Sequence, residues 1–216
     1  MQGIADDETA DGNLRRPVNT YSFKPHTRRF LQLVLHGHDE EAESLLKDHP
    51  EIAVDRNASH ETPLHWLSVE NMGNAVDILV RHGADVNARD HYGDSVLMDA
   101  ASLGLTDIMK VLLVNKADPM YRHPHSQETA LHTAARHSPN GEVVDLLIAH
   151  GADINARNHL GETPLHEAAA FSNIPVAVQL LANGADRKAR NEVGATPSEC
   201  LPLDAPQELK AQLQSA

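Results

Sequence analysis

"ETPLHWLSVENMGNAVDILVRHGADVNARD", residues 61–90, holds one structural unit from end to end. Thr62 stands where a helix needs a side-chain oxygen to cap its first N–H groups. Pro63 follows at the position where a missing N–H costs nothing. A short apolar run leads to a second helical stretch, which stops at Gly83, where a left-handed residue is wanted. An extended segment then ends in a turn. The same order returns along the chain. "ETALH" at 128–132 and "ETPLH" at 162–166 repeat the opening, with weaker copies "DSVLM" at 94–98 and "ATPSE" at 195–199. "HGAD" at 82–85 recurs at 150–153, beside "NKAD" at 115–118 and "NGAD" at 183–186. The period is about 33 residues, and such self-similarity decides the architecture before any local reading does.

In the second helices Leu79, Leu112, Leu147 and Leu180 form one apolar column, and Val80, Leu113, Ile148 and Leu181 the next. A single unit cannot bury that face alone; stacked neighbours share a continuous core. The arrangement resembles the ankyrin repeat family, whose signature is T-P-L-H-x-A on this period. The resemblance covers about residues 27–205. It implies an all-α repeat solenoid of stacked helix-turn-helix units joined by short β-hairpin loops. Residues 1–24 are expected to be disordered and 25–56 to form an N-terminal capping repeat. Four full repeats follow at 57–89, 90–122, 123–157 and 158–190, with a C-terminal cap at 191–216. In the first cap Glu40, Glu41, Glu43 and Lys47 suit a face that meets water.

The 216 residues are 41% hydrophobic and 23% charged, ordinary for a soluble protein, with only 3% aromatic. A net charge of −13 argues against nucleic acid and anionic membranes as partners. Cys200 is the only cysteine, so no internal disulfide can form, which fits a reducing compartment. No stretch approaches the ~18 apolar residues of a membrane span, and "MQGIADDETADGN" lacks the apolar core of a signal peptide. A cytoplasmic monomer is expected. The chain carries no Ser/His/Asp signature and no phosphate-cradling glycine loop, which points away from an enzyme.

Fifteen histidines invite a metal. By resemblance His65, His132 and His166 tie neighbouring loops by hydrogen bonds, and His82 and His150 sit in last helical turns, where partial positive charge is favourable. "HPH" at 123–125 is the best local pair, and it supports an alternative reading as a metal- or small-ligand-responsive protein. No HExxH or CxxC motif accompanies it, so no cofactor is expected.

The favoured reading is a protein–protein interaction module, an adaptor, scaffold or inhibitor that grips another protein or peptide by hairpin tips and concave groove. Trp66 follows the TPLH histidine in a column with Asp99, Thr133 and Glu167, so it should be partly exposed unless the N-terminal cap covers it. Further along each first helix, resemblance places Glu70, Leu103, His137 and Phe171 toward the groove, preceded by Val69, Ser102, Arg136 and Ala170. Tyr92 occupies a hairpin tip. Arg56, Arg89, Arg122, Arg157 and Arg190 recur at intervals of 33, 33, 35 and 33 residues. An acidic column of Glu61, Asp94, Glu128 and Glu162 runs beside them. That juxtaposition predicts arginines held by carboxylates, or free to grip a partner's.

Overall fold

The computed structural model describes residues 23–214. It contains α1 (Pro25–Leu35), α2 (Asp39–Asp48), α3 (Pro63–Val69), α4 (Gly73–Arg81), α5 (Val96–Ser102), α6 (Thr106–Val114), α7 (Ala130–His137), α8 (Glu142–Ala149), α9 (Pro164–Ala170), α10 (Ile174–Ala182) and α11 (Gln207–Gln214). Short 3-10 helices lie at Pro50–Val54 and Pro197–Cys200. The first helices α3, α5, α7 and α9 pack on one another in series, and α4, α6, α8 and α10 form a second row. This is an all-α repeat solenoid. The connecting hairpins are loops: among the described residues only Arg89 and Ser95 form an isolated antiparallel bridge. No helix there is long and apolar enough to cross a membrane. The expected disorder of residues 1–22 lies outside the described residues, whereas Phe23, assigned to the same segment, is buried in the core.

Each TPLH turn is a reciprocal cap. The threonine oxygen accepts the backbone N–H three residues on, and the histidine there returns the favour. Nδ1 of His65, His132 and His166 accepts the threonine N–H at 3.1, 3.2 and 3.1 Å. That role leaves the ring proton on Nε2, which His132 donates to the Glu162 carbonyl and His166 to the Ala195 carbonyl, each at 3.0 Å. The loop-tying role is thus made by a fixed tautomer.

The leucine column of the second helices is fully buried, while Val80, Ile148 and Leu181 in the next column are half-buried. Glu43 does more than face water: it pairs with Arg81 at 3.2 Å and Lys47 at 3.9 Å, linking α2 to α4. At the other end, Leu209 and Leu213 of α11 close the core.

Candidate binding surface

All five arginines of the hairpin column are exposed, yet they are not held mainly by carboxylates. Nη1 of Arg56 donates to the His60 carbonyl within its own hairpin and to the Arg89 carbonyl of the next, both at 2.7 Å. Arg157 repeats the pattern with Gly161 at 2.9 Å and Arg190 at 2.7 Å. Arg122 bonds the Arg157 carbonyl and, at 3.3 Å, the Gln127 amide oxygen. Arg190, at the end of the column, donates to Gly194 at 2.5 Å and has Glu199 at 3.9 Å. Arg89 lies 4.0 Å over the ring of Tyr121. Arg56, Arg122 and Arg157 therefore clip their hairpins to the next through backbone oxygens. Glu61 and Glu162 of the acidic column accept amide N–H groups from Asn57 and Asn158, four residues before them.

Arg136 is also engaged inside the protein. Its guanidinium bonds Glu128 and makes two contacts with Glu167, at 2.8 and 3.2 Å. Burial disfavours its charge, but the hydrogen bonds it donates to Glu167 and Glu128 outweigh that and hold its pKa above the usual value. The same guanidinium lies 5.4 Å over the Phe171 ring.

The "HPH" insertion is a hairpin fastener. His123 occupies the place of Asn57, Asp90, Asn158 and Asn191 in the other hairpins. There the side-chain oxygen accepts backbone N–H groups of its own turn: Asn57 from Ser59 and Glu61, Asp90 from Tyr92, Gly93 and Asp94. In His123 the acceptor is Nδ1, which takes the N–H groups of His125 and Ser126 at 3.3 and 3.2 Å. Nε2 donates to the Tyr92 carbonyl at 2.7 Å. With both nitrogens committed, the pair cannot chelate an ion without breaking the hairpin. Among the described residues, the His/Glu ligand atoms that do converge belong to His26, His49 and Glu51.

The remaining candidates are apolar or aromatic side chains and His137. Leu103 ends α5, His137 ends α7 and Phe171 follows α9, so the three stand at matching positions on consecutive first helices. Leu103 is 39% exposed and Phe171 54%, and the His137 and Phe171 rings lie 6.1 Å apart. Tyr92 (60%) and Leu160 (48%) stand out on hairpins. Trp66 is half-buried and packs against the core, and its buried indole N–H has no acceptor among the described residues.

Sequence reading missed two members of this seam. Tyr121 replaces the alanine found at 88, 156 and 189, and its hydroxyl donates to the Gly93 carbonyl at 2.8 Å. Met120 replaces the asparagine of 87 and 155. Asn87 and Asn155 accept the Asp118 and Asp186 N–H groups; Met120 accepts that of Asp153 on its sulfur. The broken period of this hairpin was the available signal.

Two family profiles match the chain: ankyrin repeats in three copies over residues 97–191, and a single ankyrin repeat over 59–91. The chain is 36% identical over 120 residues to neurogenic locus notch homolog protein 1 of Mus musculus, covering 56% of this chain and 5% of that protein. It is 34% identical over 152 residues to the nuclear factor NF-kappa-B p105 subunit of Gallus gallus, covering 67% of this chain and 15% of that one. The chain thus spans a small fraction of these relatives' length.

Proposed function

From the premise that the chain belongs to the ankyrin repeat family, whose repeats mediate protein–protein interactions, we propose that it binds a protein or peptide partner through its concave face. The observation that carries this reading is the Leu103, His137 and Phe171 row. Leu103 and Phe171 expose apolar surface in register, with the exposed His137 between them. Leu103 and Phe171 are already about half buried, so covering the rest of each against a partner would contribute about 1 kcal/mol. Tyr92 and Trp66 extend the surface toward the tips and the N-terminal unit. The arginine column frames it with exposed guanidinium groups whose spacing the hairpin clips fix. The net charge of −13 suits a partner with basic flanks, which would be drawn in by long-range attraction. Such a surface serves an adaptor, scaffold or inhibitor, with no chemistry of its own.

The test is affinity capture with the wild-type chain beside Phe171→Glu and Leu203→Glu. Leu203 is fully exposed on the C-terminal unit, away from the row. A partner held by wild type and Leu203→Glu but weakened more than about 30-fold by Phe171→Glu supports the reading; that loss corresponds to ~2 kcal/mol. Equal retention by all three proteins would sink it.

A further inference from the structure

Two imidazoles and a carboxylate meet on one seam of the N-terminal unit. His26 lies in the first turn of α1, His49 directly follows α2, and Glu51 belongs to the 3-10 helix Pro50–Val54. Their ligand atoms all lie within 4.8 Å of one another. Glu51 Oε1 is 3.1 Å from His49 Nδ1 and 3.5 Å from His26 Nδ1, and the two ring centroids are 3.7 Å apart. Ligands around a tetrahedral ion with bonds of about 2.1 Å stand roughly 3.4 Å apart. The two separations bracket that edge.

The seam is held by other groups. Asp55, whose side chain is 1% exposed, accepts the Thr27 hydroxyl at 2.7 Å and the Lys24 N–H at 3.2 Å, and pairs with Lys24 Nζ at 3.0 Å. The start of α1 is therefore fixed against the 3-10 helix whatever occupies the space between the three side chains. The three remain partly open to solvent, which leaves room for water on an ion.

We propose that His26, His49 and Glu51 form a surface site for a zinc-class divalent ion, with water completing its shell. Two imidazole nitrogens and one carboxylate oxygen suit zinc and its borderline neighbours rather than magnesium or calcium, which take oxygen ligands. Each ligating Nδ1 offers its lone pair while the ring proton rests on Nε2, and nothing is oxidised or reduced. The bound ion ties the beginning of α1 to the end of α2 and so stiffens the first unit of the array. The site lies outside the row proposed to hold a partner.

Zinc chloride titrated calorimetrically into the full chain tests this, with cobalt absorption as a second readout. The expected result is one ion per chain, a tetrahedral cobalt spectrum and a higher melting temperature in zinc. His26→Ala, His49→Ala and Glu51→Gln should each weaken binding at least about tenfold. His91→Ala, a surface histidine elsewhere, should leave it unchanged. Without metal, Glu51→Gln should melt within about 2 °C of wild type, which separates ligand loss from misfolding. Absence of saturable binding below about 1 mM zinc, or binding that persists in all three site variants, overturns the proposal.

Discussion

The stretches 57–89 and 158–190 and the stretch between them, 90–157, solve one problem with different atoms. In the regular repeats an asparagine closes each hairpin, an arginine clips it to the next hairpin's carbonyl, and a TPLH histidine caps the first helix. In the middle, Met98 stands where that histidine would be, and Ser95 caps α5 with its hydroxyl alone, at 3.3 Å from the Met98 N–H. Tyr121 under Arg89 takes the place of the guanidinium-to-carbonyl clip, His123 that of a hairpin asparagine, and Met120 sulfur that of an amide oxygen. The repeat thus demands a donor or acceptor at a given place, not a particular residue. Substitutions that keep the function of the place preserve the stack.

The largest difference between the regions should appear in acid. Burial pushes the His65 imidazole down to about 4, and it also lowers His132 and His166. Below the unfolded value of 6.5 the unfolded chain takes up protons that these buried rings refuse. Stability is therefore fully present above about pH 6.5 and falls as pH drops toward 4. His65 alone accounts for as much as about 3 kcal/mol of that loss. Met98, at the matching place in α5, takes up no proton. His65→Met should flatten the dependence of unfolding free energy on pH across this window, whatever it does to stability at neutral pH. Denaturant titrations at several pH values read the slope; an unchanged slope would show that His65 is not what refuses the proton.

A smaller effect isolates the close approach of the two middle hairpins. Gly93 and Gly151 share nearly the same left-handed backbone, φ +96° and +95°. A Cβ at Gly151 would meet nothing within 4 Å, but one at Gly93 would lie 2.8 Å from Cδ of Pro124. The proline ring is stiff, and His123 anchors it by its bond to Tyr92. Gly151→Ala should cost about 1 kcal/mol for the backbone alone. Gly93→Ala should cost about 2–4 kcal/mol, the excess being overpacking against Pro124. Equal losses in thermal melts would mean that the hairpins separate freely, and that the insertion is not a fastener.

Much of this architecture is legible in the sequence because its demands fall on side-chain types. Thr62-Pro63 can only begin a helix cheaply, the leucine column needs a stack to bury it, and the helix-ending glycines mark a backbone state. The arginine column is legible as a column but not in its purpose. Its partners are main-chain carbonyls, which every residue carries and no sequence displays. The work of Tyr121, Met120 and His123 depends on which atoms face each other across a seam, and residue identity alone does not report that. His26, His49 and Glu51 are brought together by the packing of α1 on the turn after α2. Their spacing in the chain matches no metal motif. The Leu103, His137 and Phe171 row is placed by resemblance to the family's first helices, not by anything the residue types display.

The smallest expected effect concerns Lys116 after α6, where α4, α8 and α10 are followed by a left-handed glycine. Lys116 holds φ +70°, where Gly83, Gly151 and Gly184 hold +88°, +95° and +86°. Its backbone still makes the terminal bonds of the glycine version: its N–H reaches the Leu113 carbonyl at 3.0 Å, and that of Ala117 reaches Leu112 at 2.9 Å, as Gly83 and Ala84 do with Val80 and Leu79. Its carbonyl also accepts the Asn87 amide at 3.1 Å. These bonds pin the strained conformation, and the exposed side chain contributes no packing to offset it. Lys116→Gly should therefore stabilise the protein by about 1 kcal/mol. For a chain of this size that is a rise of roughly 2–4 °C in melting temperature. Lys116→Ala keeps the Cβ and hence the strain, so it should leave the melt where it is. A gain shared by both variants would trace the effect to the lysine side chain. A gain confined to glycine places it in the backbone, and shows that the middle region keeps the register of the array at a cost its neighbours avoid.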